Sequence, residues 1–202
     1  MAQKKESLLK RIENMHPYQT LMYLGMFGSG LIFLFMTVAF LASGTGNMEG
    51  TAFRMPKSFM ISTLVILLSS FSAFRMNIAF EKEELKNLKN NLLYTFFLGL
   101  IFTGLQFFGW RELTRMGVDF RGLPSGSFLY VLSGIHLFHL IGAMVFALIM
   151  VMHYQRSEKD SIKHLLLLTN PYEKMKIQLF SRYWHFMDII WMALFLIFVL
   201  TF

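Results

Sequence analysis

The chain has 202 residues, 55% of them hydrophobic, 16% aromatic and only 15% charged, and its mean hydropathy is +0.50, which excludes an ordinary soluble domain. A net charge of +7 would speak for nucleic acid in a soluble protein, but here lysine and arginine fall between apolar runs, where they fix membrane topology. Cysteine is absent, which excludes disulfides, thiolate metal sites and catalytic thiols and leaves histidine and carboxylate as the ligands any metal would use.

Residues 1–17 form a basic head with Lys4, Lys5, Lys10 and Arg11, expected to be a cytoplasmic segment. The first apolar run, about 18–42, is much longer than the roughly 7–15 residues of a signal-peptide core and is expected to stay as an anchor. Gly25 and Ser29 stand four apart on it, a spacing that lets helices approach closely. The second run, 59–80, is rich in hydroxyls at Ser62, Thr63, Ser69, Ser70 and Ser72. Arg75 lies about one turn from its end. It can snorkel to hold a lipid phosphate, or pair with Glu81, Glu83 or Glu84. On the third run, 92–110, Thr95, Gly99 and Thr103 recur every four residues and Gln106 continues that face; this predicts tight helix packing with an interhelical amide hydrogen bond. The fourth run, 127–154, carries His136 and His139 on one face, and the fifth, 180–202, carries His185 and Asp188 in the same relation.

Each run is too long and too evenly apolar for a membrane strand, so the fold class is an all-α integral membrane protein. Residues 18–202 are expected to form one bundle of five transmembrane helices. The head, the second-to-third connection (Lys82, Lys86, Lys89) and the fourth-to-fifth connection (Arg156, Lys159, Lys163, Lys174, Lys176) are the basic side. The other side has Arg54, Lys57, Arg111, Arg115 and Arg121, which predicts a cytoplasmic N-terminus and a C-terminus outside.

Ionisable groups inside such runs cost at least ~2.5 kcal/mol each on insertion scales, so they mark a partner, a cavity or a task. At 1.5 Å per residue, His139 lies roughly 18 Å from the outer end of its span and Asp188 roughly 12 Å from the inner end of its own, a shared depth in a core of about 30 Å. Three readings follow for His136, His139, His185 and Asp188. One is a polar clasp between helices, in which carboxylate and imidazole lower each other's burial cost; another is support of a proton path. The third is a haem or metal site, although two histidines on one helix face cannot take opposite sides of one haem iron, and no zinc-specific spacing is present. The chain has no Gly-rich phosphate loop, GxSxG serine or HExxH pair, which argues for a structural or auxiliary subunit.

Ser125 to Gly142 resembles the GSxFYxLTGxHxxHxxxG segment, and Tyr183 to Phe195 the YWHFVDxxWxxLF ending, of subunit III of the haem-copper respiratory oxidases. A weaker likeness covers Ser62-Thr63 through Ser69-Ser70, and Gly99 to Trp110 with Gln106; the whole runs from about Tyr18 to the C-terminus, as in the five-helix bacterial form. The resemblance implies a non-redox subunit beside catalytic subunit I of a cytochrome c oxidase, in the bacterial cytoplasmic membrane, with haem and copper in partner subunits and none in this chain. It also implies bound phospholipid, for which Arg75, Arg182 and Trp184 are the expected contacts, and support of proton uptake through His136, His139, His185 and Asp188. Relatives in quinol oxidases or associated with nitric-oxide reductases share the pattern, and a small haem- or metal-binding membrane protein is the more distant alternative. Three glutamates usual in the family are missing: their places fall near Phe33, at Gly109 and at Gln178.

Overall fold

A computed structural model describes residues 15–43, 55–118, 120–121, 124–158 and 161–201. The basic residues Lys4, Lys5, Lys10, Arg11, Arg54 and Lys159 of the topology argument lie outside them. Six helices follow in order: α1 (Pro17–Ala42), α2 (Lys57–Glu81), α3 (Leu85–Arg115), α4 (Pro124–Glu158), α5 (Ser161–Thr169) and α6 (Pro171–Thr201). All but α5 are long and apolar enough to cross a membrane. The spanning helices outrun the apolar runs because hydropathy marks where lipid is, whereas polar helix formers such as Lys86 and Lys89 prolong α3 into the headgroup layer. The short α5 was not foreseen. It ends where Asn170 accepts a hydrogen bond from the Tyr172 amide at 2.9 Å and Pro171 takes the first helical position of α6, a local stop and restart.

The polar side chains of α2 explain its place at the hub. On one side Ser58 donates to Glu112 Oε1 at 2.7 Å, Ser62 accepts from Gln106 Nε2 at 2.9 Å, and Ser72 donates to the Asn91 carbonyl at 2.8 Å, binding α2 to α3. On the other, Ser69 accepts from the Trp184 indole and Thr63 from the Trp191 indole, each at 3.0 Å, and Asn77 donates to Ser181 at 3.0 Å, binding α2 to α6. Lipid offers these groups no hydrogen bonds, and small hydroxyl side chains leave room for close helix approach. The α2–α3 hairpin turns within three residues, with Glu83 held at φ 59°, a conformation that costs a non-glycine residue about 1 kcal/mol. At the other end of α3, Gly117 (φ 82°) takes the left-handed position that closes the helix.

Helix α4 completes the core against α3 and α6, with Tyr154, Leu88 and Leu92 fully buried toward the α2–α3 turn and Trp184 at mid-height. A second apolar cluster, around Phe40, Phe59, Leu113 and Phe198, fills the opposite end. Helix α1 is peripheral, burying only Phe33 and Phe40. Ion pairs Lys89–Glu158 and Lys174–Glu81 join the helix ends near the α2–α3 turn; such exposed pairs contribute about 0–1 kcal/mol each.

Candidate functional site

The four ionisable residues singled out in α4 and α6 occupy two separate ties and one apolar box. His139 uses both ring nitrogens locally: Nε2 lies 3.1 Å from Ser29 Oγ on α1, and Nδ1 lies 2.9 Å from the Ile135 carbonyl one turn back. It thereby ties the otherwise loosely held α1 to α4. His185 Nδ1 stands 2.8 Å from Ser70 Oγ on α2 and 3.8 Å from Asp188 Oδ2 on its own helix, an ion-pair separation longer than a hydrogen bond. Asp188 therefore takes its imidazole from α6, one turn away, and not from α4.

Between these ties lies His136, completely buried. Its ring packs on Trp191 at 5.1 Å, Phe102 at 5.7 Å and Phe33 at 6.3 Å between centroids, and neither nitrogen has a hydrogen-bond partner among the described residues. Phe33 also faces His139, at 5.7 Å. Phe33, near which the family resemblance places a glutamate, thus packs on both imidazoles of α4 and offers His136 no hydrogen bond to offset its burial. No three histidine, aspartate or glutamate side chains among the described residues are grouped so that they could share a metal ion, and the metal reading of His136, His139, His185 and Asp188 has no geometry behind it.

The expected packing positions on α3 behave as close contacts. A Cβ at Gly99 would come within 3.1 Å of the Trp184 ring and 3.2 Å of Met144 Sδ, Thr103 Oγ1 donates to that same sulfur at 3.8 Å, and Gln106 bonds Ser62. Arg75 is exposed, with its guanidinium 5.8 Å from the Phe71 ring, and Arg182 is exposed and donates to the Tyr23 hydroxyl. Trp184 corrects the expectation of a lipid contact: it is fully buried, its indole bonded to Ser69, because its large ring fills the gap that Gly99 opens between α3, α4 and α6. Sequence reasoning missed Phe33 and Phe59 as site residues, since an aromatic in an apolar run carries no signal of its own. The indole–hydroxyl pairs were legible only as unconnected halves: two tryptophans seven apart on α6, and hydroxyls about two turns apart on α2.

The tie formed by Ser70, His185 and Asp188 makes a graded prediction. Asp188→Asn should leave the thermal stability of the assembled protein close to that of the parent, since an amide can still hydrogen-bond. Asp188→Leu should lower it by about 1–2 kcal/mol, because His185 and Ser70 lose their polar neighbour. Equal melting temperatures for the two variants would sink the idea that polar contact at 188 matters.

Comparison with known proteins gives a consistent set of matches. The family model for cytochrome c oxidase subunit III matches residues 51–201. A probable cytochrome c oxidase subunit 3 of Mycobacterium tuberculosis (strain ATCC 25618 / H37Rv) is 26% identical over 170 residues, covering 84% of this chain and 78% of the relative. That of Nocardia farcinica is 25% identical over the same length and shares. A probable quinol oxidase subunit 3 of Staphylococcus aureus (strain NCTC 8325 / PS 47) is 27% identical over 165 residues, 80% of this chain and 77% of the relative.

Proposed function

Because the chain belongs to the cytochrome c oxidase subunit III family, and is thereby a multi-pass membrane subunit of a haem-copper oxidase complex, we propose that its task there is that of a non-catalytic scaffold. It packs beside catalytic subunit I in a bacterial cytoplasmic membrane, N-terminus inside, while haem and copper reside in partner subunits. One observation carries this reading: His139 and His185 are committed to ties between helices, His136 is shut into an aromatic box and Asp188 is buried one turn from His185 on its own helix, so that these groups do not converge on a place where a substrate or cofactor would react. Relatives named for cytochrome c and for quinol match almost equally well. Within the same proposal, support of proton uptake falls to His185, whose side chain is 32% exposed, with the buried Asp188 one turn away.

Phospholipid is part of the same proposal. A groove of about 520 Å³ between α1, α4 and α6 is lined by Gly25, Ser29 and Phe146, with Tyr18, Tyr172 and Lys176 among its other walls. The apolar stretch suits an acyl chain, and tyrosine and lysine suit the headgroup layer. Arg75 and Arg182, both exposed near the same end of the bundle, are the further headgroup contacts.

Affinity purification of the tagged chain from its native membranes in mild detergent, with an absorption spectrum and mass spectrometry, tests the reading. Haem on a large co-purifying subunit at equal stoichiometry is the expected result. A Soret band on this chain alone, or recovery with no haem-bearing companion, would overturn it.

A further inference from the structure

One stripe of α6 faces away from the core and meets other helices through Arg182, which reaches Tyr23 on α1, and His185, which meets Ser70 on α2. Trp184, Asp188, Trp191 and Phe198 face the core, whereas Arg182, His185, Ile189, Met192, Leu196 and Val199 face outward. Their spacing is three, four, three, four and three, which is the a/d pattern of a heptad seam, the register in which one helix receives the knobs of another. The stripe is open because its two neighbours leave a gap. Helix α1 meets α6 on one flank, where the Phe186 ring lies against Gly30 and Arg182 reaches Tyr23. Helix α2 meets it on the other flank, at Ser69, Ser70 and Thr63. Ile189 and Leu196, at 67% and 57% exposure, form the floor between them.

Lipid could cover an apolar stripe of this kind, but His185 makes that costly. Its side chain is 32% exposed, and its Nδ1 is already engaged with Ser70 and Asp188. Nε2 is left as the polar atom on the open side, one turn deeper along α6 than Arg182. Arginine has the reach to snorkel to the headgroups, whereas imidazole does not, and hydrocarbon offers Nε2 nothing to bond.

We infer that this seam of α6, between α1 and α2, is the docking slot for one transmembrane helix of a neighbouring subunit, which presents a hydrogen-bonding side chain to His185 Nε2. The inference rests on the reading of the chain as an oxidase subunit and adds to it which face is used and by what chemistry. It also gives the polar tie a second purpose: Ser70 and Asp188 hold the imidazole in the orientation that an incoming helix would meet.

The experiment places the photo-crosslinking residue p-benzoylphenylalanine at 189 or at 196 in the tagged chain, irradiates native membranes, and maps adducts by peptide mass spectrometry on the purified complex. The expected result is an adduct from both positions to a single transmembrane segment of another subunit, with a polar residue at the level of His185. Adducts only to lipid, adducts to a second copy of this chain, or no adducts at all would overturn the slot. A second measurement addresses His185 itself: His185→Leu should reduce the recovered partner by about fivefold, and His185→Gln, which keeps a hydrogen-bonding group, should restore most of it. Equal loss in both variants would overturn the role given to Nε2. The spectrum of the same preparation separates the two levels of argument. Haem present with lipid-only adducts sinks the slot and leaves the oxidase reading standing; a helix adduct in a preparation that carries no haem on any subunit sustains the slot and sinks the oxidase reading.

Discussion

Gly109→Leu is expected to abolish accumulation of the protein in the membrane, and Gly109→Ala to destabilise it by about 1–3 kcal/mol, the usual cost of overpacking a filled core. A Cβ at position 109 would stand 2.5 Å from Cδ1 of Phe59 and overlap the same ring at Cε1. Phe59 has no room to retreat, since it is fully buried with its ring edge-on to Trp191 at 5.9 Å. The backbone of α3 cannot move away either, because Ser58–Glu112 and Ser62–Gln106 hold it to α2 on both sides of the contact. The decisive comparison is the pair. Phe59→Ala alone opens a cavity and should cost about 3 kcal/mol, but combined with Gly109→Leu the new side chain enters that cavity, so the double variant should be more stable than either single one. Quantifying the folded chain in purified membranes and its thermal denaturation in mild detergent checks this; Gly109→Leu accumulating at parental level with Phe59 intact would refute the contact.

This pair also shows what the missing carboxylates mean. Of the three positions at which the resemblance leads one to expect glutamate, two are now structurally explained: Gly109 is empty so that the ring of Phe59 can fill its place, and Phe33 is a ring packed against His136 and His139. Apolar volume at these positions carries no desolvation cost inside the membrane, whereas a carboxylate there would. His136 and Asp188 are both buried without a hydrogen-bond partner among the described residues.

Much of the architecture was legible in the sequence because a bilayer simplifies the problem. Backbone groups must bond within the segment, so a long apolar run can only be a helix; small residues four apart mark a close crossing at Gly99 and Thr103, whereas at Gly25 the same spacing opens onto the groove between α1, α4 and α6. The site was less legible. Depth arithmetic put His139 and Asp188 on one level, but depth fixes only one coordinate. Which way each faces around its helix depends on the packing of all five spanning helices, and the short α1 contact through Ser29 claimed His139 first. Trp184 is expected at lipid only through the family resemblance, and the gap at Gly99 takes its ring into the core instead.

The residue on which most of these contacts converge is Trp191, and Trp191→Ala is expected to cost about 3–5 kcal/mol, enough to release the chain from its complex on mild heating. Its ring meets Phe102 at 5.0 Å, His136 at 5.1 Å and Phe59 at 5.9 Å, and its indole donates to Thr63 at 3.0 Å, so a single side chain joins α2, α3, α4 and α6. In lipid the transfer of apolar surface from water gives no return, and what holds the helices is contact and hydrogen bonding; both are lost at once in the alanine variant. Trp191→Phe separates the two contributions. It keeps most of the ring contact and removes only the N–H, and Thr63 already donates its own proton to the Phe59 carbonyl at 2.8 Å, so little is left unsatisfied and a loss of only about 1 kcal/mol is expected. The alanine variant should also open the box around His136. Water admitted there would give the imidazole its first hydrogen-bonding neighbours, and its ring protons should then exchange with solvent deuterium where in the parent they do not. Both readouts follow from one geometry, and an alanine variant as heat-resistant as the phenylalanine one would show that the bundle does not turn on this ring.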